Sequence, residues 1–179
     1  MAVAANVILI ILEAVGLRLS AKRRGWKILV FYTQLSNIAA LLSSVAFLLF
    51  GGRAAWARYT GTCMLVMTFL VTVCILIPMG AGFRNMMLRD SGLFHHTLCP
   101  VLGTLSYVLL EPHASPWAVP VVLTFAYGMV MLLLNGTGRV DGPYPFFRVK
   151  HQSVLATVAW MAALTGVIAL IALGVSLAA

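Results

Sequence analysis

The sequence predicts an all-α membrane protein, a single domain over residues 1–179 with six transmembrane helices and both termini on the non-cytoplasmic side. Three observations carry this. Hydrophobic residues make up 62% of the chain and charged ones 9%, and the mean hydropathy is +1.03. A water-soluble domain of this length cannot hide so much apolar surface, whereas a bilayer dissolves it. Apolar runs also recur at the length a spanning helix needs, about 20 residues. Finally, the basic residues are gathered in alternate short loops, as the positive-inside rule requires. The net charge of +8 therefore reads as topology rather than as nucleic-acid binding.

The first run, Ala2–Leu19, is interrupted by Asn6, Glu13 and Arg18. It lacks a basic segment before it, and its positive charges follow in "RLSAKRRGWK", so it reads as a retained helix rather than a cleaved signal. The other runs are Ile28–Phe50, Thr60–Met79, Gly92–Leu110, Trp117–Leu134 and Ser153–Leu177. Loops one, three and five hold ten basic residues: Arg18, Lys22, Arg23, Arg24, Lys27, Arg84, Arg89, Arg139, Arg148 and Lys150. Loop two holds Arg53 and Arg58, and loop four holds none. Loops one, three and five are thus expected in the cytoplasm. "GGRAAWARYTG" and "EPHASPW" read as connectors with little chemistry. Trp26, Trp56 and Trp117 fall at helix ends, where interfacial aromatics belong. Cys63, Cys74 and Cys99 are odd in number and lie inside apolar runs, which gives neither a disulfide framework nor a zinc pattern.

This topology gathers polar residues at one depth. Helix 2 is expected to start at the cytoplasmic face, so Thr33 lies five residues, or about 8 Å, inside it. The same leaflet receives His95 and His96 at the start of helix 4, Glu13 near the end of helix 1, Asn135 at the end of helix 5, and Tyr144 in loop five. With Gln34 and Asn37 these residues define a one-sided polar pocket, the outer halves of the helices being more apolar. Ionisable groups inside a membrane face the bundle interior and take partners.

Each residue also has a simpler use. Thr33 can bond back to the carbonyl of residue 29, and Gln34 and Asn37 can join helices. The two histidines can be a wet interfacial pair. His95 and Cys99, spaced i,i+4, suit a thiolate with a histidine base, although a buried thiol is usually inert. Two histidines with a carboxylate suit a metal, but neighbouring helical residues point about 100° apart and do not converge on one ion.

The ordered set "YTQLSN", "HHTLCP" and "GPYPFF", between Phe31 and Phe147, resembles the androgen-induced and androgen-dependent (ADTRP-like) membrane proteins and their bacterial six-helix relatives. That resemblance implies a six-helix fold and, as in the characterised animal members, an intramembrane hydrolase of hydroxy-fatty-acid esters with a threonine nucleophile and a histidine. The nucleophile falls on Thr33. The animal motif sets its histidine five residues before the proline, which gives His95; the bacterial pattern sets it four before, which gives His96. The "QLSN" after Thr33 follows the bacterial pattern, so the resemblance implies ester hydrolysis rather than one particular lipid.

The expected chemistry needs no metal and no cofactor. His95 or His96 takes the Thr33 proton, an acyl-threonine forms, and water releases it. Gln34, Asn37 or Asn135 can donate to the oxyanion, and Glu13 can orient an imidazole. The expected partner is a membrane lipid or fatty-acyl ester, and the expected location is a bacterial plasma membrane. The rival reading is a lipid or small-molecule binder or transporter subunit, because an intramembrane Glu also serves proton-coupled sites.

Overall fold

The computed structural model describes residues 1–141 and 143–179; the first residue of "GPYPFF" thus lies outside the described residues. All regular structure among the described residues is helical. Helix α1 runs Ala2–Arg24 and ends where Gly25 takes a positive φ of 54°. A 3₁₀ segment, Gly25–Val30, leads to α2, Tyr32–Phe50. The turn Gly51–Ala54 then leads to α3, Ala55–Val71, which continues as a π-helical stretch, Thr72–Ala81. Two short helices, α4 (Phe83–Met87) and α5 (Asp90–Leu93), precede a π-helical turn, Phe94–Leu98, that opens α6, Cys99–Leu110. Helix α7 is Ala118–Gly136 and α8 is Val154–Ala178.

Among the described residues, five apolar helical stretches are long enough to cross a membrane, and the second, Tyr32–Ala81, is folded at Gly51–Ala54 into α2 and α3. Five to six helices are therefore long and apolar enough to span a bilayer, as an integral membrane protein requires. Trp26, Trp56 and Trp117 are all exposed.

Small residues let the helices approach. A Cβ on Gly61 of α3 would lie 2.8 Å from Ser43 Oγ and 3.1 Å from the Ala40 Cα of α2. One on Gly103 of α6 would lie 2.9 Å from a Leu65 methyl. This is how membrane helices gain contact without a hydrophobic drive between them. A cluster around Tyr59, Met64, Met67, Phe146, Phe147 and Ile168 forms the largest apolar core.

Two expectations fail at the end away from the basic loops. Arg58 is no loop residue: α3 starts at Ala55, and the Arg58 side chain is fully buried. Nor is "EPHASPW" a mere connector, because Glu111 turns inward to meet it. Arg58 Nε donates to Glu111 Oε2 at 2.7 Å, and Nη2 donates to Oε1 at 3.0 Å. Asn6 Nδ2 and Ser106 Oγ donate to Oε1 at 2.9 and 2.6 Å, while Arg58 Nη1 donates to Ser43 and Ser44 at 3.3 and 3.0 Å. The polar content is therefore not one-sided. This network joins α1, α2, α3 and α6, and it is possible because a bidentate carboxylate and two hydroxyls satisfy the guanidinium.

Removing one partner strands the other charge, so Glu111→Ala should cost about 3–5 kcal/mol in reversible unfolding in detergent. The double variant Arg58→Met/Glu111→Leu should recover much of that loss. The exposed pair Arg23–Asp90, at 2.6 Å, is the control. An effect of Glu111→Ala no larger than that of Arg23→Ala would show that the network holds nothing together.

Candidate functional site

Tyrosine hydroxyls, rather than a capping side chain, start α2. Phe31 precedes it in extended geometry with no side-chain cap, so the first N–H groups of the helix need outside acceptors. The Tyr32 N–H donates to Tyr127 Oη of α7 at 3.0 Å, and the Thr33 N–H donates to Tyr144 Oη at 3.3 Å. Tyr144 Oη also lies 3.2 Å from Thr33 Oγ1. The Tyr144 ring stacks on Phe146, with centroids 5.2 Å apart. Burial pushes the Tyr144 hydroxyl pKa above its ordinary value, which keeps it protonated and able to donate. Because the residues from Gly25 to Val30 are 3₁₀, Thr33 sits in the first turn of α2 rather than five residues inside a helix. There it feels the positive end of the helix dipole.

The histidines sit on the π-helical turn Phe94–Leu98, a rare geometry that recurs at functional sites. Their rings face different helices and do not converge on one ion. His96 turns to α3, where Nδ1 lies 2.8 Å from Thr72 Oγ1. Thr72 spends its proton on the Thr68 carbonyl at 2.8 Å, so His96 Nδ1 is the donor. In the neutral ring Nε2 is then left unprotonated, as a base must be. His95 turns to α1, with Nε2 3.4 Å from Ser20 Oγ and Nδ1 3.9 Å from Glu13 Oε2.

A cavity of about 650 Å³ opens among these groups. Its polar lining includes Ser20, Thr33, Gln34, His95, His96 and Tyr144, with Arg23, Arg24 and Arg89 at its edge. A smaller apolar cavity of about 40 Å³ lies beside it, walled by Met67, Val71, Phe147 and Met161 among others. Thr33, Leu76 and Tyr144 line both.

Of the expected residues, the structure brings Thr33, Gln34, His95, His96 and Tyr144 to one cavity. Three do not line it. Asn37 donates to the Thr33 carbonyl at 2.6 Å, one turn back in its own helix. Asn135 braces the loop after α7, donating to the Val140 carbonyl at 3.2 Å and accepting from the Val149 N–H at 2.9 Å. Glu13 is fully buried behind His95, and neither of its oxygens has a hydrogen-bond partner. Cys99 packs against Glu13, and the histidine expected to activate it bonds Ser20 instead.

Sequence reasoning passed over Ser20, Thr72 and Tyr127. Ser20 was hidden among basic neighbours, because the first helix was ended at Leu19; α1 in fact continues to Arg24. The spacing of Glu13, Gly16 and Ser20, three and then four apart, was the available signal of a shared face. Compared with protein-family models, curated proteins and solved structures, the chain has no match in any of the three.

Tyr144→Phe would leave the buried N–H of Thr33 without an acceptor, so it should lower stability in detergent by about 1–3 kcal/mol. Thermal unfolding of the purified variant measures this, and an unchanged midpoint would deny the hydroxyl its role as cap.

Proposed function

We propose that the protein hydrolyses carboxylic esters of lipids within the helix bundle, with Thr33 as nucleophile and His96 as base. The observation that carries this reading is the position of Thr33, shared between a polar cavity and an apolar one. An amphiphile seated there would set its ester beside Thr33, its acyl chain among Met67, Phe147 and Met161, and its polar end towards the arginines. The small cavity would have to widen, and methionine side chains adapt readily.

The protonation of His96 supports its role. Thr72 holds Nδ1–H, so Nε2 can take the Thr33 proton as Oγ1 attacks the ester carbonyl. The leaving alkoxide recovers that proton, and water then releases the acyl group by the same steps in reverse. The positive end of the α2 dipole favours the developing negative charge, and Gln34 is the amide donor left at the cavity. The resemblance to the ADTRP-like hydrolases points to Thr33, with His96 in its bacterial pattern and His95 in its animal one. In this reading the chain lies in a bacterial plasma membrane with loops one, three and five in the cytoplasm, and the cavity faces the inner leaflet, whose anionic lipids suit a basic rim.

One observation favours a second reading, a lipid binder without chemistry: the side-chain partner of Thr33 Oγ1 is Tyr144, and no hydrogen bond joins it to either histidine. The two readings separate with a p-nitrophenyl fatty ester and the detergent-purified chain. Hydrolysis should be measurable; in a chain that also carries Ser20→Ala, Thr33→Ala should lower kcat a hundredfold or more, and His96→Gln should lower it about 10²–10⁴-fold. Full turnover after Thr33→Ala in that chain would end the threonine mechanism. Binding of a fluorescent fatty acid without turnover of any ester would leave the binder reading in its place.

A further inference from the structure

The proposal above uses Thr33 and His96, which leaves His95 and the buried Glu13 unexplained. We propose that Ser20, His95 and Glu13 form a second acyl-transfer centre in the same cavity, with Ser20 as its nucleophile. It goes beyond the threonine reading and rests on different atoms.

The geometry begins on α1. Glu13, Gly16 and Ser20 share one helix face, and the His95 ring lies flat along it. Gly16 makes this possible, because a Cβ there would sit 2.8 Å from His95 Cε1 and 3.0 Å from Nε2. Each end of the ring then meets one chemical partner: Nε2 is 3.4 Å from Ser20 Oγ, and Nδ1 is 3.9 Å from Glu13 Oε2. With its proton on the Nδ1 that faces the Glu13 carboxyl group, the neutral ring leaves Nε2 free to accept from the serine. Hydroxyl, imidazole and carboxyl group thus stand in the order that activates serine on unrelated folds. The contacts are longer than in a loaded site, as is common before substrate arrives.

Two further details fit a reaction rather than a brace. Both oxygens of Glu13 and Nδ1 of His95 are buried and lack hydrogen-bond partners among the described residues, a costly arrangement for a merely structural group. Ser20 also lines the cavity, and Gln34 Nε2 donates to its oxygen at 3.2 Å. The second amide hydrogen of Gln34 is therefore close to where an oxyanion would form on an acylated Ser20.

The step balances without a co-reactant other than water. The Ser20 proton passes to His95 Nε2 as Oγ bonds to the carbonyl carbon of a carboxylic ester. The bond from that carbon to the alkoxy oxygen then breaks, the oxygen taking the proton from Nε2 and leaving as the alcohol. Water adds to the acyl-serine, His95 receiving one of its protons and returning it to Ser20 as the acid departs.

The test is adduct mapping on the full chain in detergent with a fluorophosphonate, whose fluoride leaves as the hydroxyl oxygen bonds to phosphorus. Mass spectrometry of the digested protein then locates the phosphonate. The expected result is an adduct on Ser20 that persists in Thr33→Ala and is slowed a hundredfold or more in His95→Gln, with a smaller slowing in Glu13→Gln. A Ser20→Cys variant gives a readout free of the probe: its thiol should react with iodoacetamide faster than the exposed Cys74, and lose that advantage when His95→Gln is added. An adduct on Thr33 alone overturns the serine centre and leaves the threonine reading standing, whereas an adduct on Ser20 alone does the reverse. Adducts on both sustain both, and none on either removes both. Labelling of Ser20 that is indifferent to His95→Gln marks a hydroxyl that the imidazole does not activate and also overturns the proposal.

Discussion

Arg58 and Glu111 close on each other where water does not reach, and much of the architecture follows from the demand they make. An unpaired guanidinium or carboxylate inside a bilayer-sized apolar bundle costs several kcal/mol. The two groups therefore fix which helix faces are turned inward, and they do so together with Asn6 of α1, Ser43 and Ser44 of α2 and Ser106 of α6. With those four helices aligned at one end, their other ends carry Ser20, Thr33, Gln34, His95 and His96 to a common cavity. The charged network and the cavity occupy opposite ends of one scaffold.

Between the two ends the bundle is held by close approach and by hydroxyl bridges as well as by its apolar core. Ser36 Oγ and Thr68 Oγ1, 2.7 Å apart, tie α2 to α3, and Thr72 passes that connection to His96. On the other side, Gln34 and Ser20 tie α2 to α1 and so to His95. Each histidine is oriented by a hydroxyl on a different helix. Neighbouring residues of one helical turn project in different directions, which sends the two rings to separate walls of the cavity.

The polar zone near the basic loops was legible in the sequence because its cause is simple: polar side chains in a membrane helix must turn inward, and helices that alternate in direction bring their polar ends to one level. The opposite end was not legible, for a related reason. A charged residue just before an apolar run reads as part of the loop, and Arg58 stands two positions before the run that opens at Thr60. Only its partner, 53 positions later, shows that it belongs inside. Asn37 and Asn135 show another limit: an amide has short-range backbone alternatives, and both take them. Depth can be counted from a sequence, whereas direction about a helix axis depends on what packs against it.

The cap on α2 has a consequence for how such a chain is made. The first turn of α2 is completed by hydroxyls from Tyr127 and Tyr144, which lie 95 and 111 positions further along. During synthesis the segment holding Thr33 is made long before either tyrosine exists. Until then its first N–H groups have no tyrosine hydroxyl to accept from them, and the turn lacks its cap. Only when the seventh helix and the loop beyond it have folded back does Thr33 take its final position. Any reactivity of that hydroxyl is thereby withheld from a half-made chain and arrives with the last part of the fold.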